Sequence, residues 1–242
     1  MKKFALVCGA SGAIGEEICR QLAQDGWSLY LHYNANKEKV HQLYVQLAES
    51  YPQQEFMPVQ ADFSTDTGAE QLAAQIFSVK AIIFANGHAY YGLLEDTSSA
   101  DMNKLWCVHV QNPMRTTALL ASKLRAHEVS YVLIVGSIWG DAGAAGEVVY
   151  SAVKGAQHSF VKAYAQEVAY NGIRVNAIAP GFIDTVMNAK LDTTEREELV
   201  SQIPLQTFGE TSDIANMVAF YVSGKADYVT GQIIRVNGGW YI

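Results

Sequence analysis

The chain has 242 residues, half of them hydrophobic and 17% charged, with a formal net charge of −7. That length and apolar content suit one domain that buries its own core without disulfides or a metal. The acidic balance and the lack of any Lys/Arg run longer than two argue against nucleic acid or an anionic membrane as partner, and no apolar stretch approaches the ~18–20 residues of a membrane helix.

The first apolar run starts like a leader but meets Gly9, Gly12 and Gly15, and reads instead as a strand over 4–7. Further short apolar runs lie at 29–32, 57–60, 81–84, 131–135, 174–178 and 233–236. Helix-length segments separate them, at about 13–25, 37–50, 66–78, 99–125, 148–171 and 212–223. Continuously apolar strands are expected of a parallel sheet buried on both faces. The alternation predicts an α/β fold: a single Rossmann-type, doubly wound parallel sheet of about seven strands with helices on both faces, spanning 1–242 as one domain. The irregular segment 182–208 is the candidate substrate flap. Cys8, Cys19 and Cys107 are far apart and show no zinc or CxxC spacing. They read as buried free thiols of a reducing, cytoplasmic compartment, and no metal site is expected.

The turn Cys8-Gly9-Ala10-Ser11-Gly12-Ala13-Ile14-Gly15 follows the first strand and opens a helix. Such a turn brings backbone N–H groups to a dinucleotide pyrophosphate at the helix N-terminus. An acid at the end of the second strand would favour NAD by binding the ribose 2′-hydroxyl. Here Tyr33-Asn34-Ala35-Asn36-Lys37 offers none, and Asn34 and Lys37 suit a 2′-phosphate, so NADP(H) is favoured over NAD(H). Asp62 is placed either to meet the adenine edge or to cap a loop.

Tyr150 and Lys154 stand four apart in a helical segment and share a face. A phenol titrates near pH 10; a neighbouring ammonium and an oxidised nicotinamide are expected to lower that value. Ser137, at the end of a buried run, offers a hydroxyl for a substrate oxygen. Alone, the Tyr/Lys pair reads as an ordinary surface helix; with the glycine turn and Ser137 it reads as a proton-donating site.

Together, Gly9 to Gly15, Ser137, Tyr150-Ser-Ala-Val-Lys154, Ala179-Pro180-Gly181-Phe182-Ile183-Asp184-Thr185 and the closing Val236-Asn237-Gly238-Gly239 resemble the short-chain dehydrogenase/reductase family over essentially the whole chain. The resemblance implies that Ser137 orients a carbonyl, Tyr150 protonates it, and Lys154 binds the nicotinamide ribose and lowers the tyrosine pKa. It implies further cofactor contacts at Phe63, Ala85, Asn86, Gly87, Pro180, Gly181, Ile183 and Thr185, and a homodimer or homotetramer. The sequence departs from the family at Cys8, at Ala13 in place of the middle glycine, at Phe84-Ala85-Asn86-Gly87, and at His109, where the family has a catalytic asparagine. His109 either takes over that residue's proton relay, adding a pH dependence near neutrality, or is a packed core histidine.

The pattern resembles 3-oxoacyl-acyl-carrier-protein reductases, and around Ser137-Ile138-Trp139-Gly140 and Lys154-Gly155-Ala156-Gln157-His158 a subgroup that reduces a 5-aminopentanone on elongation factor P. An acyl carrier protein is acidic and needs basic residues at the site mouth, whereas Asp141 and Glu147 are acids that either pair with a cationic amine or are solvated loop acids. Phe182 is a candidate substrate wall, and Trp139 is either another or a core residue. A reading from another class is a non-catalytic NADP-sensing protein, against which the retained Ser137, Tyr150 and Lys154 argue.

Overall fold

Alternate side chains of a strand point to opposite faces, and in this chain both sets are apolar. Ala5 and Val7 pack into one buried cluster with Leu29, Leu31, Ile83 and Leu133. Leu6 and Cys8 pack into another with Tyr30, Ile82, Phe84 and Ile134. The computed structural model describes residues 2–185 and 192–241. In it the strands β1 (Phe4–Cys8), β2 (Ser28–Tyr33), β3 (Phe56–Gln60), β4 (Ala81–Phe84), β5 (Ser130–Val135), β6 (Ile173–Pro180) and β7 (Ile233–Val236) form one sheet. Its order is β3-β2-β1-β4-β5-β6-β7, and every neighbouring pair is parallel.

Helices cover both faces, as expected. On the first cluster lie α1 (Ala13–Gln24) with Ile18 and Leu22, and α2 (Lys37–Ser50) with Val40 and Leu43. α3 (Gly68–Ala73) reaches the second through Leu72, α4 (Ser99–Trp106) buries Leu105 in a smaller cluster with Val110 and Val153, α5 (Asn112–Leu124) adds Leu120 and Leu124 to the second, Trp139 of the four-residue α6 (Trp139–Ala142) packs against Ile138, Ile203 and Trp240, and α7 (Val148–Val168) adds Val161 to the second. After them come α8 (Thr193–Gln202) and α9 (Thr211–Val222), the latter adding Ile214 and Val218 to the first cluster. The chain leaves β1 toward one edge of the sheet and returns at β4 to build the other. That reversal opens a crevice at the carboxyl ends of β1 and β4, the place where doubly wound sheets hold ligands.

Three expectations change. The single helix over 99–125 is α4 and α5 joined by a π-helical turn, Cys107–Gln111. The cause is Pro113, which lacks the N–H an α-helix needs there. The helix over 66–78 stops at Ala73, and the chain turns to bury Ile76 and Val79. The irregular stretch 182–208 contains α8, started by an Asp192/Glu195 capping box; its residues 186–191 lie outside the described ones. Among the described residues, no helix is long and apolar enough to cross a membrane.

Candidate active site

The loop after β1 is shaped by what its glycines lack. Gly9 has φ +83°, and a Cβ there would lie 2.8 Å from the Ala85 carbonyl oxygen and the Asn86 nitrogen. A Cβ on Gly15 would lie 2.2 Å from the Gly9 carbonyl oxygen. Unlike α2, capped by Asn36, and α4, capped by Ser98, helix α1 has no side-chain cap. Its first N–H groups remain available to an anion. The glycine cradle therefore fits a dinucleotide pyrophosphate.

The other end of the cleft is built from side chains. Ser137 lies two residues beyond β5, in a loop held by Gly136 N–H donating to the Ile178 carbonyl (2.7 Å) and Ile138 N–H to the Pro180 carbonyl (3.1 Å). Tyr150 and Lys154 project from α7, and the Tyr150 hydroxyl shares a hydrogen bond with Ser137. Lys154 Nζ donates to the Val135 carbonyl at 3.1 Å and lies 5.5 Å from the Tyr150 ring centroid. Burial pushes Lys154 down to about 7. Burial first, then the Glu147 carboxylate and Tyr91, hold Tyr150 above the ordinary phenol range. A phenol so raised stays protonated at neutral pH, the form a proton donor needs.

His109 sits in the π-helical turn, 1% exposed, with its ring edge-on to Tyr150 at 5.6 Å between centroids. Its Nε2 lies 3.1 Å from the His88 carbonyl oxygen. The His88 N–H lies 3.4 Å from the same nitrogen, so the His88 backbone holds the ring through Nε2 in either tautomer. Nδ1 is buried with no partner. Burial and then Lys154 hold His109 well below the usual histidine range. It is neutral at neutral pH, contrary to the expected titration there.

Both ends face one cleft of about 800 Å³, within the range of cofactor sites. Ser11, Gly12, Ala13, Ile14 and Gly15 line it, with Ala85, Asn86 and Gly87 opposite. Ser137, Trp139, Glu147, Tyr150, Lys154 and His109 line the reaction end. Pro180, Gly181, Phe182, Ile183 and Thr185 complete the wall. Glu147 accepts a hydrogen bond from the Trp139 side chain, and burial raises its pKa.

Other expected residues lie outside the cleft lining. Gly9 acts from beneath it, through the close approach just described. Phe63 is a core residue, 3% exposed and stacked on His32 at 4.8 Å. Tyr33 packs against the first core cluster. Asp62 accepts from Asn34 Nδ2 (3.1 Å), Ser64 N–H (2.8 Å) and Ser64 Oγ (2.7 Å), so it organises its own loop. Lys37 is exposed at the start of α2. Asp141 is a correction: its carboxylate is taken by His158 Nδ1 (3.0 Å) and Arg235 (3.0 Å), away from the substrate end.

Reading the sequence missed Lys39, which lines the cleft and pairs with Glu16 at 3.1 Å. Its signal was its place two residues after Lys37. Also missed were Tyr91, Leu199 and Trp240, brought in by tertiary folding without a local pattern.

A family profile described as "Enoyl-(Acyl carrier protein) reductase" matches residues 9–241. The chain belongs to the short-chain dehydrogenase/reductase family. It is 41% identical over the whole of both chains to "Uncharacterized oxidoreductase YmfI" of Bacillus subtilis (strain 168). It is 32% identical, again over the whole of both, to "3-oxoacyl-[acyl-carrier-protein] reductase FabG" of Staphylococcus epidermidis. A solved blue fluorescent protein from a metagenomic library, in complex with NADPH, superposes with a TM-score of 0.90 at 29% identity, covering 99% of this chain and 98% of that one. As a short-chain dehydrogenase/reductase the chain is an NAD(P)-dependent oxidoreductase acting on CH–OH and C=O groups.

Proposed function

We propose that the chain reduces a ketone to a secondary alcohol with NADPH, Tyr150 giving the proton. The observation that carries this reading is the meeting of Ser137, Tyr150 and Lys154 on a cleft that the glycine turn also borders. When bound there, a reduced nicotinamide supplies the hydride. Ser137 holds the carbonyl oxygen by its hydroxyl. Tyr150 O–H passes its proton to that oxygen as negative charge develops on it. Lys154 holds the nicotinamide ribose and stabilises the phenolate that remains. Ala85, Asn86, Gly87, Pro180, Gly181, Ile183 and Thr185 seat the cofactor beside the glycine turn. Asn34, Lys37 and Lys39 select the 2′-phosphate at the adenosine end.

His109 serves the proton path behind Lys154 as a neutral imidazole. The check is the pH–rate profile of His109→Asn: it differs from wild type, and identical profiles overturn the role.

The substrate reading is a 5-aminopentanone carried on elongation factor P. Glu147 lines the cleft, half-buried, with no ion-pair partner among the described residues, and suits a substrate ammonium. Among the described residues the lysines of the cleft lining are Lys39, already paired with Glu16, and buried Lys154, a poor mouth for an acidic carrier. The second reading, a 3-oxoacyl-acyl-carrier-protein reductase, is favoured by the 32% identical relative. Intact-mass analysis of elongation factor P from a deletion strain decides between them. An adduct short of two hydrogens is expected; a normal mass with ordinary turnover of acetoacetyl thioester gives the second reading. Glu147→Gln is expected to raise KM about tenfold, some 1.4 kcal/mol, for an amine-bearing ketone and not for a neutral one.

The chain works as one domain, 1–242, with 182–208 as its flap, in a cytoplasmic setting that suits the buried free thiols. Ala152, Ser159 and Ala163 are exposed on α7 and Ala156 is half-buried. That uncovered small-residue stripe supports close helix pairing in a homodimer or homotetramer.

A further inference from the structure

Pro113 carries no N–H, and its ring crowds the carbonyl four residues back. In an α-helical register that carbonyl belongs to His109; in the π-helical register residue 113 would serve Val108 instead. The N–H of Asn112 is already spent on Cys107 across the π-helical turn. Pro113 therefore removes the helix donor that either carbonyl would meet. Side-chain amides from two other elements stand in for it. Asn86 Nδ2, from the loop after β4, donates to the Val108 carbonyl at 2.8 Å. Gln157 Nε2, from α7, donates to the His109 carbonyl at 2.6 Å.

We infer that Gln157, assisted by Asn86, is a positioning residue for the reduction, clamping the His109 turn so that the imidazole stays edge-on to Tyr150. Several observations converge on this. Gln157 is 3% exposed and lies three residues after Lys154, so the clamp ties the His109 turn to the helix carrying Tyr150 and Lys154. The ring packs closely on Gly87, where a Cβ would lie 2.3 Å from His109 Cε1. A leucine or methionine would fill the Gln157 volume as well, so packing alone does not call for an amide there. Buried carbonyls do, since each left unpaired is costly.

The inference rests on His109 lying in the proton path, and a double-mutant cycle separates the two ideas. Turnover is measured with NADPH and a small 1,2-diketone for wild type, Gln157→Met, His109→Ala and the double variant. Gln157→Met is expected to lower kcat about tenfold with KM for NADPH within about twofold, since it removes an aligning contact and no binding group. The double variant is expected to be no slower than His109→Ala. A readout independent of turnover is the imidazole NMR titration of His109 without NADPH. The groups facing that ring are Lys154 and Tyr150 from α7 and His88 from the loop after β4. Freed from the clamp and better hydrated, the ring is expected to titrate closer to the ordinary histidine value. A wild-type kcat in Gln157→Met, a loss that adds in full to that of His109→Ala, or an unmoved titration overturns the clamp. A harmless His109→Ala overturns the His109 reading and the clamp with it; a harmful His109→Ala beside a harmless Gln157→Met overturns the clamp alone.

Discussion

At the nucleotide end of the cleft the shaping parts are backbone: a left-handed Gly9, the uncapped start of α1, and a Gly15 whose missing Cβ lets the loop close on itself. At the reaction end the parts are side chains, Ser137, Tyr150, Lys154 and Glu147, each buried or half-buried and each set by a different neighbour. Shape at the first end depends on what is absent from the glycines. The chemistry proposed at the second draws on Tyr150, Lys154 and Glu147, whose ionisation burial has moved. The first end should therefore fail on any added carbon, and the second on loss of a single heteroatom.

The largest effect is expected from Tyr150→Phe, which removes one oxygen and leaves the packing. Its kcat should fall about 10³-fold, within the range for loss of a general acid, while NADPH binding by fluorescence stays at the wild-type level. Gly15→Ala tests the other end. The new Cβ meets backbone rather than a flexible side chain, and overpacking of that kind costs about 1–3 kcal/mol. NADPH affinity by titration should drop accordingly, with Tyr150 untouched.

Lys154→Met sharpens the contrast, because it should damage turnover and help the fold. Burial holds Lys154 at about 7 in the folded chain, below the ~10.4 of an unfolded lysine. Below the folded value the charged form is penalised in full, and the penalty fades as pH climbs to the unfolded value. The variant should melt at a higher temperature than wild type at pH 7, by a gap that closes toward pH 10. A thermal scan at several pH values checks this. The smallest effect is expected from Lys39→Ala. An exposed charge contributes about 1 kcal/mol or less, so KM for NADPH should rise severalfold while KM for NADH stays put.

Much of this site could be read from the sequence, because its parts are local patterns. The glycine turn follows a strand at fixed spacing, Tyr150 and Lys154 are one helical turn apart, and Pro180-Gly181 ends a strand. Residues defined by tertiary contact were not readable. Asp141 and Glu147 are acids six positions apart, yet Asp141 is captured by Arg235, far along the chain, and Glu147 is left in the cleft. Lys39 and Trp240 reach the lining only through the way α2 and the end of the chain pack. One signal was visible and read through: Pro113, inside an otherwise helical pattern, marks the break that makes the π-helical turn and places His109.

The most direct test of ketone reduction at this cleft uses NADPH carrying deuterium at the transferable position. Wild-type protein with an aminopentanone-bearing peptide of elongation factor P should consume one NADPH per alcohol formed, the deuterium appearing on the carbinol carbon. Consumption of NADPH without alcohol, or an alcohol free of deuterium, would contradict the account.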